Sequence, residues 1–320
     1  MFRRLALALV PVLALVPALI LPAAPGMAAP PRVVADIAPV QSLAAMVMAG
    51  AGEPALLLPP GASPHTHALR PSQARALAGA EIVFWIGEEL TPWLAGPLHR
   101  LAPEARIVSL LAVPGTVIHP LRGGAVFGPD ADDGTAQDHG HAHAHAPGGV
   151  DPHAWLDPDN ARLWLDAMAE ALAGADPERA ALYRANAARA KAEIAAASAR
   201  IAARLAPLGG ARFVVFHDAW QYFERRFGLQ ALGAIRLGDA TPPGPARLAA
   251  LRAALAQEGV GCAFAEPQFD PGLIEAVSGG RALRVAVLDP LGAGLAPGPG
   301  LYPALLEAIA AAAAGCLGAG

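Results

Sequence analysis

Residues 176–205 read DPERAALYRANAARAKAEIAAASARIAARL, and no Gly or Pro interrupts the run between Pro177 and Pro207. Asp176 can cap a helix, Pro177 suits its first position, and Glu178 complements the positive end of the helix dipole. A helix over all of 176–205 would be roughly 45 Å long. That is too long for a crossover between neighbouring strands, and the stretch reads as a rod joining two bodies. The alternative, two shorter helices with a kink, stays open because a run so rich in Ala carries little register information.

On either side of the rod the same rhythm is written twice. Short apolar runs at 32–37, 55–58, 82–86 and 106–110 are each followed by a polar or Pro/Gly turn and an Ala-rich stretch. The pattern returns at 213–216, 231–235, 262–265 and 284–288. Brief, continuously apolar strands suit parallel sheets covered on both faces. Two sets of four strand–helix units predict an α/β protein of two domains, each a small parallel sheet flanked by helices. The expected boundaries are 29–175, a bridging helix over 176–206, and 207–320.

The N-terminus begins with Arg3 and Arg4, continues through an apolar run from Leu5 to Leu21, and ends in small residues. This is the three-part pattern of a secretory signal peptide, residues 1–28, cleaved near Ala28. A membrane anchor is the competing reading, but Pro11 and Pro17 break the run and a spanning helix needs about 20 apolar residues. Formal net charge is −4 with both signs mixed. No basic stripe exists, so nucleic acid is not an expected partner. In an exported chain two cysteines, Cys262 and Cys316, suggest a disulfide. A pair of buried thiols is the alternative.

Residues 138–147 read DHGHAHAHAP, which places His139, His141, His143 and His145, four of the ten histidines, in seven positions. Alternate imidazoles separated by Gly or Ala have no packing role and point to a divalent metal. The surrounding segment, 123–149, is poor in large apolar residues and reads as a disordered loop. Three other histidines follow a strand or open a helix. His65 lies in GASPHTHALRPS, His153 in DPHAWLDPDNAR, and His217 directly after FVVF. Asp289 is the first polar residue after RVAVL. In open α/β sheets ligands bind beyond the carboxyl ends of strands. Three imidazoles with a carboxylate or water make a tetrahedral site suited to Zn2+. Taken singly, each histidine reads first as an ordinary hydrogen-bonded polar residue, and Asp157, Asp218 and Asp289 as caps or turn formers; it is the joint strand-end placement that favours a metal. His67 competes with His65, while His99 and His119 have structural contexts.

Taken together and in order, these motifs, with AEPQF and VLDPLG, resemble the periplasmic zinc-binding proteins of ABC importers, the ZnuA type. The resemblance spans about residues 32–317 and includes both cysteines. It implies two α/β domains bridged by one long helix, with Zn2+ in the cleft between them. It implies His65, His153 and His217 as ligands, and Asp289 or water in fourth place. Some members carry an acid just before the first histidine, where this chain has Pro64. Manganese-binding relatives place a carboxylate at the position of His217, and an imidazole there favours Zn2+ on grounds of ligand softness. The resemblance further implies a Cys262–Cys316 disulfide in the second domain, a periplasmic location, and an inner-membrane ABC permease as partner. The chain itself is expected to be a monomer.

On this reading the protein binds and delivers Zn2+ and is not an enzyme. Two other classes remain to be weighed. A secreted zinc hydrolase or lyase would need a base, for which Glu266 is the nearest candidate, and the chain has no HExxH. A metal-dependent adhesin or buffer would use the His-rich tract as its main site. Within a transporter the tract would collect zinc, sense it, or do neither.

Overall fold

The computed structural model describes residues 28–128, 149–238, 243–270 and 272–318. The expected signal peptide, apart from Ala28, and the four histidines of the tract lie outside them. The first sheet contains β1 (Val33–Ala35), β2 (Ala55–Leu56), β3 (Ile82–Trp85) and β4 (Arg106–Ser109), in the order β2-β1-β3-β4. The second contains β5 (Arg212–His217), β6 (Gln230–Arg236), β7 (Cys262–Ala265) and β8 (Arg284–Val287), in the order β6-β5-β7-β8. Every pairing within the two sheets is parallel. All eight expected strands are present, within a few residues of the expected ends.

In both sheets the chain steps outward from its first strand, then returns to that strand's other side. The carboxyl ends of β1 and β3, and of β5 and β7, are therefore switch points, where crossover helices diverge and leave a crevice. Alternate residues of each strand enter different cores. Val33 and Ala35 face one cluster while Val34 faces another; Phe213 and Val215 face the first while Val214 and Phe216 face a third. Period-two alternation with both faces buried explains why the strands read as continuously apolar.

Helices α1 (Ala38–Val47), α2 (Pro71–Ala78) and α3 (Pro92–Leu101) belong to the first sheet. They are followed by α4 (Pro158–Ala175) and the long α5 (Ala180–Leu205). The second sheet carries α6 (Gln221–Phe227), α7 (Pro245–Gln257), α8 (Gly272–Ser278) and α9 (Leu301–Leu317). Helix α5 buries Tyr183, Ala187, Ala190, Ile194, Ala197 and Ile201 along one stripe. That stripe lies against α1, α4 and α9, so the principal core runs from the first sheet to the second without a break.

The rod is a single α-helix with a 3-10 turn at each end, Pro177–Arg179 and Ala206–Leu208. Asp176 does not cap it. Its Oδ2 instead accepts hydrogen bonds from Arg179 Nη1 at 2.7 Å and Tyr183 Oη at 2.8 Å, which fix the corner between α4 and α5. Cys262 on β7 and Cys316 on α9 are disulfide-bonded, with Cα atoms 5.9 Å apart.

The His-rich segment, expected to be structureless from Gly123, joins the fold as far as Phe127. Val126 bridges to Gly233 on β6, and Phe127 N–H donates to Leu232 O at 2.8 Å. Gly233 is required there, since a Cβ would lie 2.2 Å from the carbonyl oxygen of Ala125. The chain that leads out of the first domain is thus stitched to the edge of the second sheet. Among the described residues no helix is long and apolar enough to cross a membrane.

Candidate metal centre

Three segments far apart in sequence bring one histidine each to the crevice between the sheets. His65 lies in the turn-rich stretch after β2, where Pro59, Pro60 and Pro64 precede it and Pro71 opens α2. Its N–H donates to Ser63 Oγ at 3.2 Å, and Trp93 Nε1 donates to Pro64 O at 2.7 Å. His153 immediately precedes a 3-10 turn, Ala154–Leu156, that leads into α4. His217 ends β5, at the switch point of the second sheet. His153 and His217 are 3% and 4% exposed, and His65 is half-buried.

Ring centroids are 5.4 Å apart for His65–His153, 5.6 Å for His65–His217 and 4.9 Å for His153–His217. One ligand nitrogen from each lies within 4.8 Å of the others. Tetrahedral zinc with bonds of 2.0–2.1 Å brings its nitrogens to roughly 3.4 Å of one another. Small side-chain rotations close the difference. Three neutral imidazoles suit Zn2+, and they leave a fourth position open.

The surroundings orient the rings. His153 Nδ1 is 2.7 Å from Asp151 Oδ1, which also accepts the His153 N–H at 3.0 Å. A carboxylate on Nδ1–H holds the proton there and leaves the Nε2 lone pair for a metal. Glu266 Oε2 sits 3.5 Å from His217 Nδ1 and biases that ring the same way. Burial pushes the Asp151 carboxyl up to about 7, against the pull of the His153 N–H and the Arg122 charge. An anion so poorly solvated gains from a cation close by. Pro64, Trp155, Phe269, Pro290 and Leu291 line the rest of the crevice, with Phe269 stacked on Phe216 at 4.8 Å. This apolar rim strengthens electrostatic contacts inside it.

The other candidates are placed differently. His67 Nε2 is 3.2 Å from Gln73 Oε1 and its ring packs against Trp93, outside the cluster. The Asp289 carboxylate is also outside it. It accepts from Leu291 N at 3.0 Å, Ala293 N at 2.5 Å and Gln268 Nε2 at 3.3 Å, the work of a turn former. Asp157 caps α4 by accepting from Asp159 N. Asp218 caps nothing; burial raises its carboxyl and Arg122 holds it by an ion pair. The His119 ring packs at a tilt against Tyr222, with centroids 4.7 Å apart, and its backbone N–H donates to the phenol oxygen. Sequence reasoning missed Asp151 as the partner of His153, although the Asp-Pro-His spacing is a usable signal for such a turn. It also missed Arg122 and Tyr222, whose partners lie far along the chain.

Comparison with known proteins gives the chain's family. The family model described as "Zinc-uptake complex component A periplasmic" matches residues 33–316. The high-affinity zinc uptake system protein ZnuA of Paracoccus denitrificans is 44% identical over 300 residues, covering 90% of this chain and 92% of its own length. The protein of the same name from Brucella abortus is 37% identical over 311 residues, covering 89% and 91%. A crystal structure of a ZnuA superposes with a TM-score of 0.74 at 24% identity, covering 90% of this chain and 99% of that one, and so shares the fold. With a family match over nearly its whole length and relatives well above 30% identity, the chain belongs to the ZnuA family of periplasmic zinc-uptake components.

Proposed function

We propose that this chain captures Zn2+ in the periplasm with His65, His153 and His217 and delivers it to the permease of an ABC importer. One observation carries the reading: three imidazoles from distant segments converge within 4.8 Å in a chain whose family is that of zinc-uptake components. Zinc is cargo here, and the protein binds without catalysing a reaction. Water takes the fourth position, because Asp289 is committed to two backbone N–H groups and an amide. The imidazole set favours Zn2+ over Mn2+, whose preferred donors are oxygens. The chain acts as an exported monomer, its signal peptide removed near Ala28.

Calorimetry with Zn2+ and Mn2+ on the mature chain tests the reading. One tight zinc site, weak manganese binding, and loss of the tight site in the His65→Ala/His217→Ala variant are expected. Wild-type affinity in that double variant would remove the three histidines as the site.

A further inference from the structure

Arg122 has so far entered only through its charge, yet it is one of the most heavily engaged side chains among the described residues. It comes from the first domain's chain, one residue after the segment that pairs with residues 149–151, and its side chain is 9% exposed. Its Nε donates to Asp218 Oδ1 and Oδ2 at 3.0 and 3.2 Å, and its Nη2 also donates to Asp218 Oδ1. Nη1 and Nη2 donate to Glu224 Oε2 and Oε1 at 2.9 and 2.8 Å. Both carboxylates are 3% exposed, and the guanidinium lies 3.9 Å over the Phe127 ring.

The path through this residue forms a closed circuit. Leu121 N–H donates to Gly149 O, and Asp151 N–H to His119 O, both at 2.9 Å, which fixes 119–121 against 149–151. Asp151 in turn holds His153 through Nδ1. At the other end, Asp218 is joined to His217 by a peptide bond. From His153 to His217 the chain of contacts therefore runs through Asp151, the bridged segments 119–121 and 149–151, Arg122 and Asp218, and it closes across the metal cluster. Tyr222 supplies a second, weaker tie by donating to Asp151 O at 2.8 Å.

We propose that Arg122 is a positioning residue for the zinc site, setting the separation of His153 and His217 by clamping the base of the His-rich segment to the strand end that carries His217. A planar guanidinium with five donors can hold two carboxylates in fixed directions, which an ammonium cannot. The role rests on the zinc reading above, and groups that orient metal ligands typically cost 10–100-fold in affinity when lost.

The test uses the full mature chain and two variants. Arg122→Lys keeps the charge without the fork. The triple variant Arg122→Gln/Asp218→Asn/Glu224→Gln removes all three buried charges together, so that folding strands none of them, and it carries the test alone if Arg122→Lys does not fold. Zinc affinity is measured by competition with a chelating dye, and site geometry by the visible ligand-field bands of the Co2+-loaded protein. A Kd at least about tenfold weaker, with altered Co2+ bands, is expected in both variants. Ile194→Ala, a core change in α5, serves as the control and should lower the unfolding temperature without touching either readout. Wild-type Kd and bands in the triple variant would overturn the proposal. So would a weaker Kd with wild-type bands, or an equal loss in Ile194→Ala. Failure of the unsubstituted chain to bind Zn2+, or full binding by His65→Ala/His217→Ala, would instead strike the zinc reading itself.

Discussion

His65, His153 and His217 were legible in the sequence because each stands where an apolar strand or a turn gives way to its first polar side chain. Their partners were not. Asp151 acts through a turn two residues before His153, and Arg122 finds Asp218 and Glu224 96 and 102 residues away. Separations of that size leave no periodic trace. Asp151→Ala should weaken zinc binding by about 10–100-fold with the fold intact, because His153 loses the acceptor that fixes its tautomer. Asp289→Ala should leave the zinc Kd close to wild type in the same titration, with its cost confined to the turn at 289–293. Proton competition acts at this scale too. Each imidazole must be neutral to bind, so the affinity should fall as pH drops and protons compete with the metal for the ring nitrogens. A flat zinc Kd between pH 5 and 8 would exclude an all-histidine site.

At the scale of single elements, two features set stability away from the metal. Asp36, at the end of β1, is fully buried and accepts from Ile37 N and Ile86 N, both at 2.8 Å. Burial is the main cause that pushes its carboxyl up to about 7, with the two N–H groups opposing. The folded protein then holds a proton that the unfolded chain releases near pH 3.8. Its contribution to stability is complete below that value and is lost as pH rises towards 7. Asp36→Asn should therefore flatten the decline of unfolding free energy between about pH 4 and 7, as measured by urea titration. The second feature is the Cys262–Cys316 bond, which closes a loop of 54 residues between β7 and α9. On chain-entropy grounds its removal by a double Ser substitution should cost roughly 4 kcal/mol in denaturant unfolding. Helix α5 was readable as a rod from its lack of breakers. Its true start at Ala180 was not, since Asp176 gave up its capping role to bond Arg179 and Tyr183.

At the scale of the whole molecule, the repeated strand order explains why the site is where it is. Each sheet opens at its switch point, and α5 and the common core set the two openings against each other around three histidines. Eight strands and a central rod could be read from hydrophobic runs, so the fold class was accessible without coordinates. The stitch of residues 124–127 onto β6 was not, because it depends on Gly233 allowing a backbone to approach, and a single Gly in a strand has several uses. The tract at 139–145 lies outside the described residues; its composition, poor in large apolar side chains, predicts an ordering cost at each binding event and hence a weaker hold on an ion than a site built by the fold. Deletion of residues 129–148 should therefore preserve one tight zinc site while removing weaker ones, as counted by native mass spectrometry. The central claim is tested most directly by crystals of the mature protein grown with one equivalent of Zn2+ and measured at the zinc edge. The expected result is a single anomalous peak bonded to nitrogens of His65, His153 and His217 at about 2.0–2.1 Å. A peak elsewhere, with these three side chains unliganded, would contradict it.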